Sequence, residues 1–227
     1  NFCRGLCGCT PWWSEEAFMD KTKAAIAQEV GDGKAVCIMS GGLSSGVNAL
    51  LAHRVLGERL QCLFVDTGLL RAHETERFVA YYRERMGLNL QVIHAQSQFL
   101  EALAGLEKPE DKQAAIMRTL QDMFQQAMEA QDYDVLILPG NASQLMEGPE
   151  TVMPIPVIRQ HKPVMRPFEE LFKEEIRFVG EELGMPQELT HMQPFPWTGL
   201  ALRVIGECTA EKLNMLRQAD AMFAEEI

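Results

Sequence analysis

The sequence has no apolar run long enough to span a bilayer as a helix. It also has no basic-then-apolar opening of the secretory type. Basic residues are in the minority, 21 Lys and Arg against 32 Asp and Glu, giving a formal charge of −11 and a pI of about 5.0. A broad nucleic-acid footprint needs a basic surface, so nucleic acid is excluded as a main partner. A small basic pocket for a phosphate is not excluded. Of the six cysteines, Cys3, Cys7 and Cys9 crowd the N-terminus without a fourth nearby ligand and fit no standard zinc pair. They read as free thiols of the kind a reducing cytoplasm maintains. Cys37 and Cys62 fall inside apolar strand patterns and read as buried thiols. There is no internal repeat and no low-complexity tract.

What is present is enough for one sizeable α/β domain: 227 residues, 47% hydrophobic and 23% charged. The organising stretch is 36–47, an apolar run that stops at Ser40-Gly41-Gly42 and passes into a helical pattern. Glycines let backbone approach a ligand, and the first amides of a helix have no internal partner. Together they make an anion site, most naturally for phosphate. Taken alone, such a loop is better explained by turn geometry.

The rest of the chain supplies context. Residues 1–13 read as an irregular docked segment. Ser14 before Glu15 and Glu16 marks a helix start, with Phe18, Ala25, Ile26 and Val30 on its apolar face and Gly31-Asp32-Gly33 at its end. Strands are expected over 35–39, 60–65, 90–94 and 133–138, and helices over 47–56, 72–86, 109–131 and 167–183. The last of these would carry Phe168, Leu171, Phe172, Ile176 and Val179 on its apolar face. A short strand is expected over 200–205 and a final helix, capped by Thr209, still running at Ile227. Residues 148–165, with prolines at 149, 154, 156 and 163, read as a long lid-like loop. Strands alternating with helices imply a doubly wound parallel sheet, α/β in class. Ligands in such sheets lie at the carboxyl ends of the strands, so Ser40–Gly46, 66–71 and 139–147 should converge on one edge.

These residues resemble the ATP-pyrophosphatase domain of glutamine-hydrolysing GMP synthetases. The resemblance runs from Cys7-Gly8-Cys9 and Val30-Gly31-Asp32-Gly33-Lys34 through Ser40-Gly41-Gly42 and Phe64-Val65-Asp66-Thr67-Gly68-Leu69-Leu70-Arg71. It continues at Leu171-Phe172-Lys173-Glu174-Glu175-Ile176-Arg177, Gln193-Pro194-Phe195-Pro196 and Gly199–Glu207. It implies an adenine nucleotide alpha hydrolase-like, Rossmann-like fold and use of ATP and Mg²⁺. ATP would adenylate xanthosine monophosphate (XMP), releasing pyrophosphate, and ammonia would displace AMP. The loop of Ser40, Gly41, Gly42, Ser44 and Ser45 would hold pyrophosphate. Val65, Asp66, Gly68 and Arg71 would border adenine and ribose, and Lys173 would neutralise developing charge. Helix-borne Arg177 reads better as an exposed partner of a nearby glutamate.

The sequence also departs from the family pattern, Ser-Gly-Gly-x-Asp-Ser-Ser/Thr. Ser44 replaces the acid and Gly46 the last hydroxyl. In the next loop an acid is replaced by Gln144, and Glu147 survives as a possible metal contact. Arg159-Gln160-His161-Lys162 stands where the family has Lys and a His-His-Asn cluster, and Trp197-Thr198-Gly199 where it has Gly-Pro-Gly. Mg²⁺ is usually held through one or two carboxylates, whereas an amide cradle needs only glycines and a helix end. Two readings follow. One is a GMP synthase-type unit, with a separate glutaminase subunit as one source of ammonia; the glutaminase and dimerisation domains usual in the family are not in this chain, which is either cut from a longer protein or naturally short. The other is a catalytically inactive nucleotide-binding or regulatory paralogue that keeps the fold.

Overall fold

The computed structural model describes residues 2–8, 13–142, 162–191 and 198–226. Its centre is one parallel sheet of five strands in the order β3-β2-β1-β4-β5. The strands are β1 (Ala35–Met39), β2 (Leu60–Asp66), β3 (Leu90–His94), β4 (Val135–Ile137) and β5 (Val164–Met165). Pairing is in register across the middle, with Cys37 opposite both Cys62 and Ile137. The order runs outward in two directions from β1, so the crevice between the β1 and β4 ends is the topological switch point, where such sheets bind ligands.

Alternation along β1 divides the core into two layers. Ala35, Cys37 and Met39 pack on one face with α1 (Glu15–Val30), α2 (Leu43–Leu56) and α6 (Lys173–Glu182). Val36 and Ile38 pack on the other with α4 (Gln96–Leu103), α5 (Pro109–Glu129) and the segment around Leu200–Leu213. Every residue of β1 is buried, as a strand covered on both faces requires. Ser14 caps α1 through its hydroxyl, which accepts from the Ala17 amide at 3.2 Å. Thr209 does the same for α8 (Ala210–Glu225), accepting from Lys212 N at 3.3 Å. Trp13 packs on Phe18, and Phe18 on Phe168, at ring separations of 6.4 and 5.8 Å.

Several expectations are corrected. The helix after the glycine loop begins at Leu43, inside the loop itself, not at 47. The segment 72–86 divides into α3 (Glu74–Val79) and a wider π-type turn over Ala80–Arg85. The helix expected over 167–183 begins only at Lys173. Residues 167–170 form turns, and the Glu175 carboxylate takes the Phe172 amide at 2.8 Å to start the helix there. Phe172 is consequently exposed, not on the apolar face. Ala25 is also exposed, and α1 buries Met19, Thr22, Ile26 and Val30. Residues 200–205 are not a strand. Gly199, at φ +62°, brings the chain back so that Leu200 N donates to Leu69 O at 2.7 Å, and a 3-10 turn follows over Ala201–Arg203. The last two residues of the expected lid form β5. Residues 2–6 make a short helical turn where the sequence reads as irregular, and α8 ends at Glu225. The sequence reading missed α4 and the single turn α7 (Gln187–Thr190).

Candidate functional site

The loop after β1 is built on a serine that the chain uses for itself. Ser45 is 0% exposed. Its Oγ accepts from Ser40 N at 3.1 Å, lies 3.1 Å from Ser40 Oγ, and donates to Gly42 O at 2.8 Å. Ser45 therefore fixes the loop from inside, while Ser40 and Ser44 stay half-exposed. Gly41 turns at φ +86°, a backbone state that favours glycine, with Phe64 directly beneath it. Gly42 precedes α2 and brings no side-chain cap, so the first amides of the helix remain available at the sheet edge.

The loop after β2 lies beside it. The Asp66 carboxylate is buried and fully engaged. It accepts from Gly68 N at 3.0 Å, Thr75 Oγ1 at 3.2 Å and Gln96 Nε2 at 2.9 Å, with His94 Nδ1 at 3.4 Å. Arg71 turns away, to Asp220 of α8 at 3.0 Å. Arg217 of α8 donates to Leu70 O at 2.9 Å and also to Gly68 O. Thus Asp66, Gly68 and Arg71 reach the expected edge, but the two charged side chains are spent on the protein. Val65 lines a narrow crevice with Met39, Ser40, Phe64, Thr67, Leu70, Leu120 and Phe124.

The third loop follows β4. Asn48 of α2 donates to Leu138 O at 3.1 Å, and the buried Asn141 donates to Ser44 Oγ at 3.4 Å. These amides tie the β1 and β4 loops together across the switch point. Ala142 N donates to Leu171 O at 2.8 Å, which brings the start of α6 to the same edge. Lys173, the first residue of α6, is exposed and has no hydrogen-bond or ion-pair partner among the described residues. Arg177 instead holds Thr190 O at 3.2 Å and lies 3.8 Å from Glu174, the surface pairing expected of it. Gln144, Glu147, 159–161 and 192–197 lie outside the described residues.

The donor set bears on a metal. Around the β1 loop the described side chains offer neutral oxygens, and the neighbouring carboxylate, Asp66, is engaged by four groups. Among the described residues no three His, Cys, Asp or Glu gather to hold a cation. These residues alone do not fit Mg²⁺, which prefers carboxylates and phosphate oxygens. The missing hydroxyl at Gly46 has a structural reason. A Cβ there would lie 1.8 Å from the hydroxyl oxygen of Tyr82. Tyr82 stands on the π-type turn and packs against Phe78, which stacks on Phe64 below the loop. Burial, and then the neighbouring Tyr81, push the Tyr82 phenol well above its ordinary value, so it stays neutral. Sequence reasoning missed Tyr82, Asn48, Asn141 and Arg217. Only the two asparagines, adjacent to recognised loops, carried a local signal.

With this geometry in hand, the comparisons become informative. A family model described as the phosphoadenosine phosphosulfate reductase domain matches residues 34–137. A glutamine-hydrolysing GMP synthase of Heliobacterium modesticaldum is 38% identical over 239 residues, covering 100% of this chain and 46% of that protein. One from Clostridium botulinum is 38% identical over 240 residues, with 100% and 47% covered. The chain spans about half the length of the curated relatives it matches. Among solved structures, NMN synthetase from Francisella tularensis matches with a TM-score of 0.63 at 15% identity, over 91% of this chain and 94% of that one. The NH3-dependent NAD synthetase from Campylobacter jejuni matches at 0.61 and 16%, over 95% and 88%. Those two likenesses establish the fold, adenine nucleotide alpha hydrolase-like, and nothing finer.

Proposed function

We propose that this chain, which is related over its whole length to part of the glutamine-hydrolysing GMP synthases, is an ATP-pyrophosphatase unit of the GMP synthase type. The observation that carries the reading is the edge formed by the uncapped amides of α2, the Ser40 and Ser44 hydroxyls and the unpaired Lys173. An ATP β,γ-pyrophosphate seated there meets backbone dipoles and one cation. Adenine would rest on the β2 side, beside the loop of residues 65–70. In the reaction, an oxygen of XMP bonds to the α-phosphorus of ATP as pyrophosphate leaves. Ammonia then displaces AMP. A glutaminase is the proposed ammonia source. Ser45, Asn48 and Asn141 position the loops, and Lys173 offsets charge on the leaving pyrophosphate. No step is assigned to a metal, because the described donors do not fit one.

A second reading, nucleotide binding without turnover, is favoured by the neutral Ser44 and by the engaged Asp66. Calorimetry with ATP, with and without Mg²⁺, followed by XMP- and ammonia-dependent pyrophosphate release, separates the two. Mg²⁺-strengthened binding with XMP-dependent release supports the synthase reading. Metal-indifferent binding without release supports the second, and no binding of ATP or pyrophosphate sinks both.

A further inference from the structure

α8 turns more apolar bulk to solvent than to the core. It carries five large apolar residues, Leu213, Met215, Leu216, Met222 and Phe223. Leu213 is buried and Leu216 partly buried in the layer with α5. Met215, Met222 and Phe223 are 65, 71 and 68% exposed. Spacings of seven and eight residues set these three on one side of a helix, with the exposed Ala219 between them. The inner side is taken up by polar holds, Arg217 on the Gly68 and Leu70 carbonyls and Asp220 on Arg71 and Arg203. Ile205, 94% exposed, lies by the first turn, where Lys212 donates to its carbonyl at 3.5 Å. Single exposed apolar residues are ordinary, but a face that groups them marks an interaction site. Methionine suits such a site because its flexible thioether adapts to what it meets.

The face is complementary to itself. We propose that α8 pairs antiparallel with α8 of a second copy of this chain, in a two-fold dimer. With the axis at Ala219, a small residue where two helices approach closely, Met215 stands opposite the partner's Phe223. The same register sets Lys212 opposite the partner's Glu226, which is exposed. Lys212 spends two donors on the Ile205 and Glu207 carbonyls and has a third, with its charge, for the carboxylate. Antiparallel helices also bring opposite dipole ends together. A parallel pair would set Lys212 beside Lys212 and Glu226 beside Glu226. A 16-residue helix is about 24 Å long and about 10 Å across, so the contact buries on the order of 500 Å² from each copy. That is the low end for a specific interface and fits a micromolar dimer. The inner side of the same helix holds the β2 loop, so the interface and the ligand edge share one element.

The test is sedimentation velocity of the whole chain over a range of about 1–200 µM, in wild type, Met215→Glu and Phe223→Glu. Wild type should pass from monomer to dimer with a Kd of about 1–100 µM. Each glutamate variant should raise that Kd by about tenfold or more, because a carboxylate replaces an apolar contact. Both positions are exposed, so dilute samples of the variants should melt as wild type does. Ala219→Cys, which meets its own copy at the axis, should form a disulfide-linked dimer with oxidised glutathione in excess of any that wild type forms. A chain still monomeric at about 200 µM overturns the proposal and leaves the face to a different protein. A dimer that withstands both glutamate variants places the contact elsewhere, and growth past two copies makes the face an open one. A dimer in which Ala219→Cys adds no link is not this antiparallel pair. Each of these results also overturns the proposal.

Discussion

Returning a side chain to Gly46 should harm this protein, although the family pattern has a hydroxyl residue there. An added Cβ would sit 1.8 Å from the Tyr82 hydroxyl oxygen, 2.7 Å from Cζ and 3.3 Å from Cε1. Tyr82 is 4% exposed and wedged between Phe78 and Tyr81, at ring separations of 4.6 and 4.9 Å. The ring cannot yield by swinging into solvent, so α2 or the π-type turn must move. Forced overpacking of this kind costs about 1–3 kcal/mol. Replacing glycine within a helix returns about 1 kcal/mol in propensity, which leaves a net loss of up to about 2 kcal/mol for Gly46→Ala. For a chain of this size that lowers Tm by up to roughly 8 °C. The assay is a thermal melt of Gly46→Ala, Tyr82→Phe and the double variant. Removing the hydroxyl removes the shortest contact, so the cost of Gly46→Ala should fall by at least about half in the Tyr82→Phe background. A Gly46→Ala protein more stable than wild type, or a cycle that is simply additive, would refute the reasoning.

Ser45→Ala should cost about 1–3 kcal/mol, because Ser40 N loses its partner inside the loop; an unshifted melt together with unchanged ATP affinity would contradict this. Tyr82 and Cys37 both protonate more readily in the fold. The first is raised chiefly by burial; the second is raised by its hydrogen bond to Cys62 and then by burial. A raised value means that the folded chain keeps protons the unfolded chain has released. Stability should therefore be full below about pH 8 and fall as pH climbs through about 8.5 and then 10. Tyr82→Phe should flatten the upper part of that fall in pH-dependent denaturant melts. Ser44→Asp should make ATP binding respond to Mg²⁺ more than wild type does, and calorimetry that shows no change in metal dependence would mean other donors govern it.

Where a single run of residues decided the outcome, the sequence could be read directly. β1 and β3 have the expected limits, β1 because its five-residue apolar run is bounded by Lys34 and Ser40 and leaves little choice. The caps at Ser14 and Thr209 were legible for the same reason, a hydroxyl residue placed just before a helical pattern. α4 was not, since it follows Ala95 with no capping side chain and buries only Phe99 and Leu103. β5 escaped notice because two residues after a proline-rich stretch carry no period. The glycine loop was legible as a motif, but the direction of nearby side chains was not. Asp66 and Arg71 stand at the right strand end, and only the packed structure reveals that Thr75, Gln96 and Asp220 claim them. Tyr82 reaches the glycine loop from another element, across a sequence distance that no local pattern encodes.

The hold of Arg217 on the Gly68 and Leu70 carbonyls joins residues 149 and 147 positions apart. On the ribosome, where chains grow at about 5–20 residues per second, the loop after β2 waits roughly 7–30 s for the arginine that secures it. The strands of the inner sheet can pair well before that. The β2 loop is therefore secured later than the β1 loop beside it, and until α8 is made the nascent chain carries a finished glycine loop beside an unsecured neighbour.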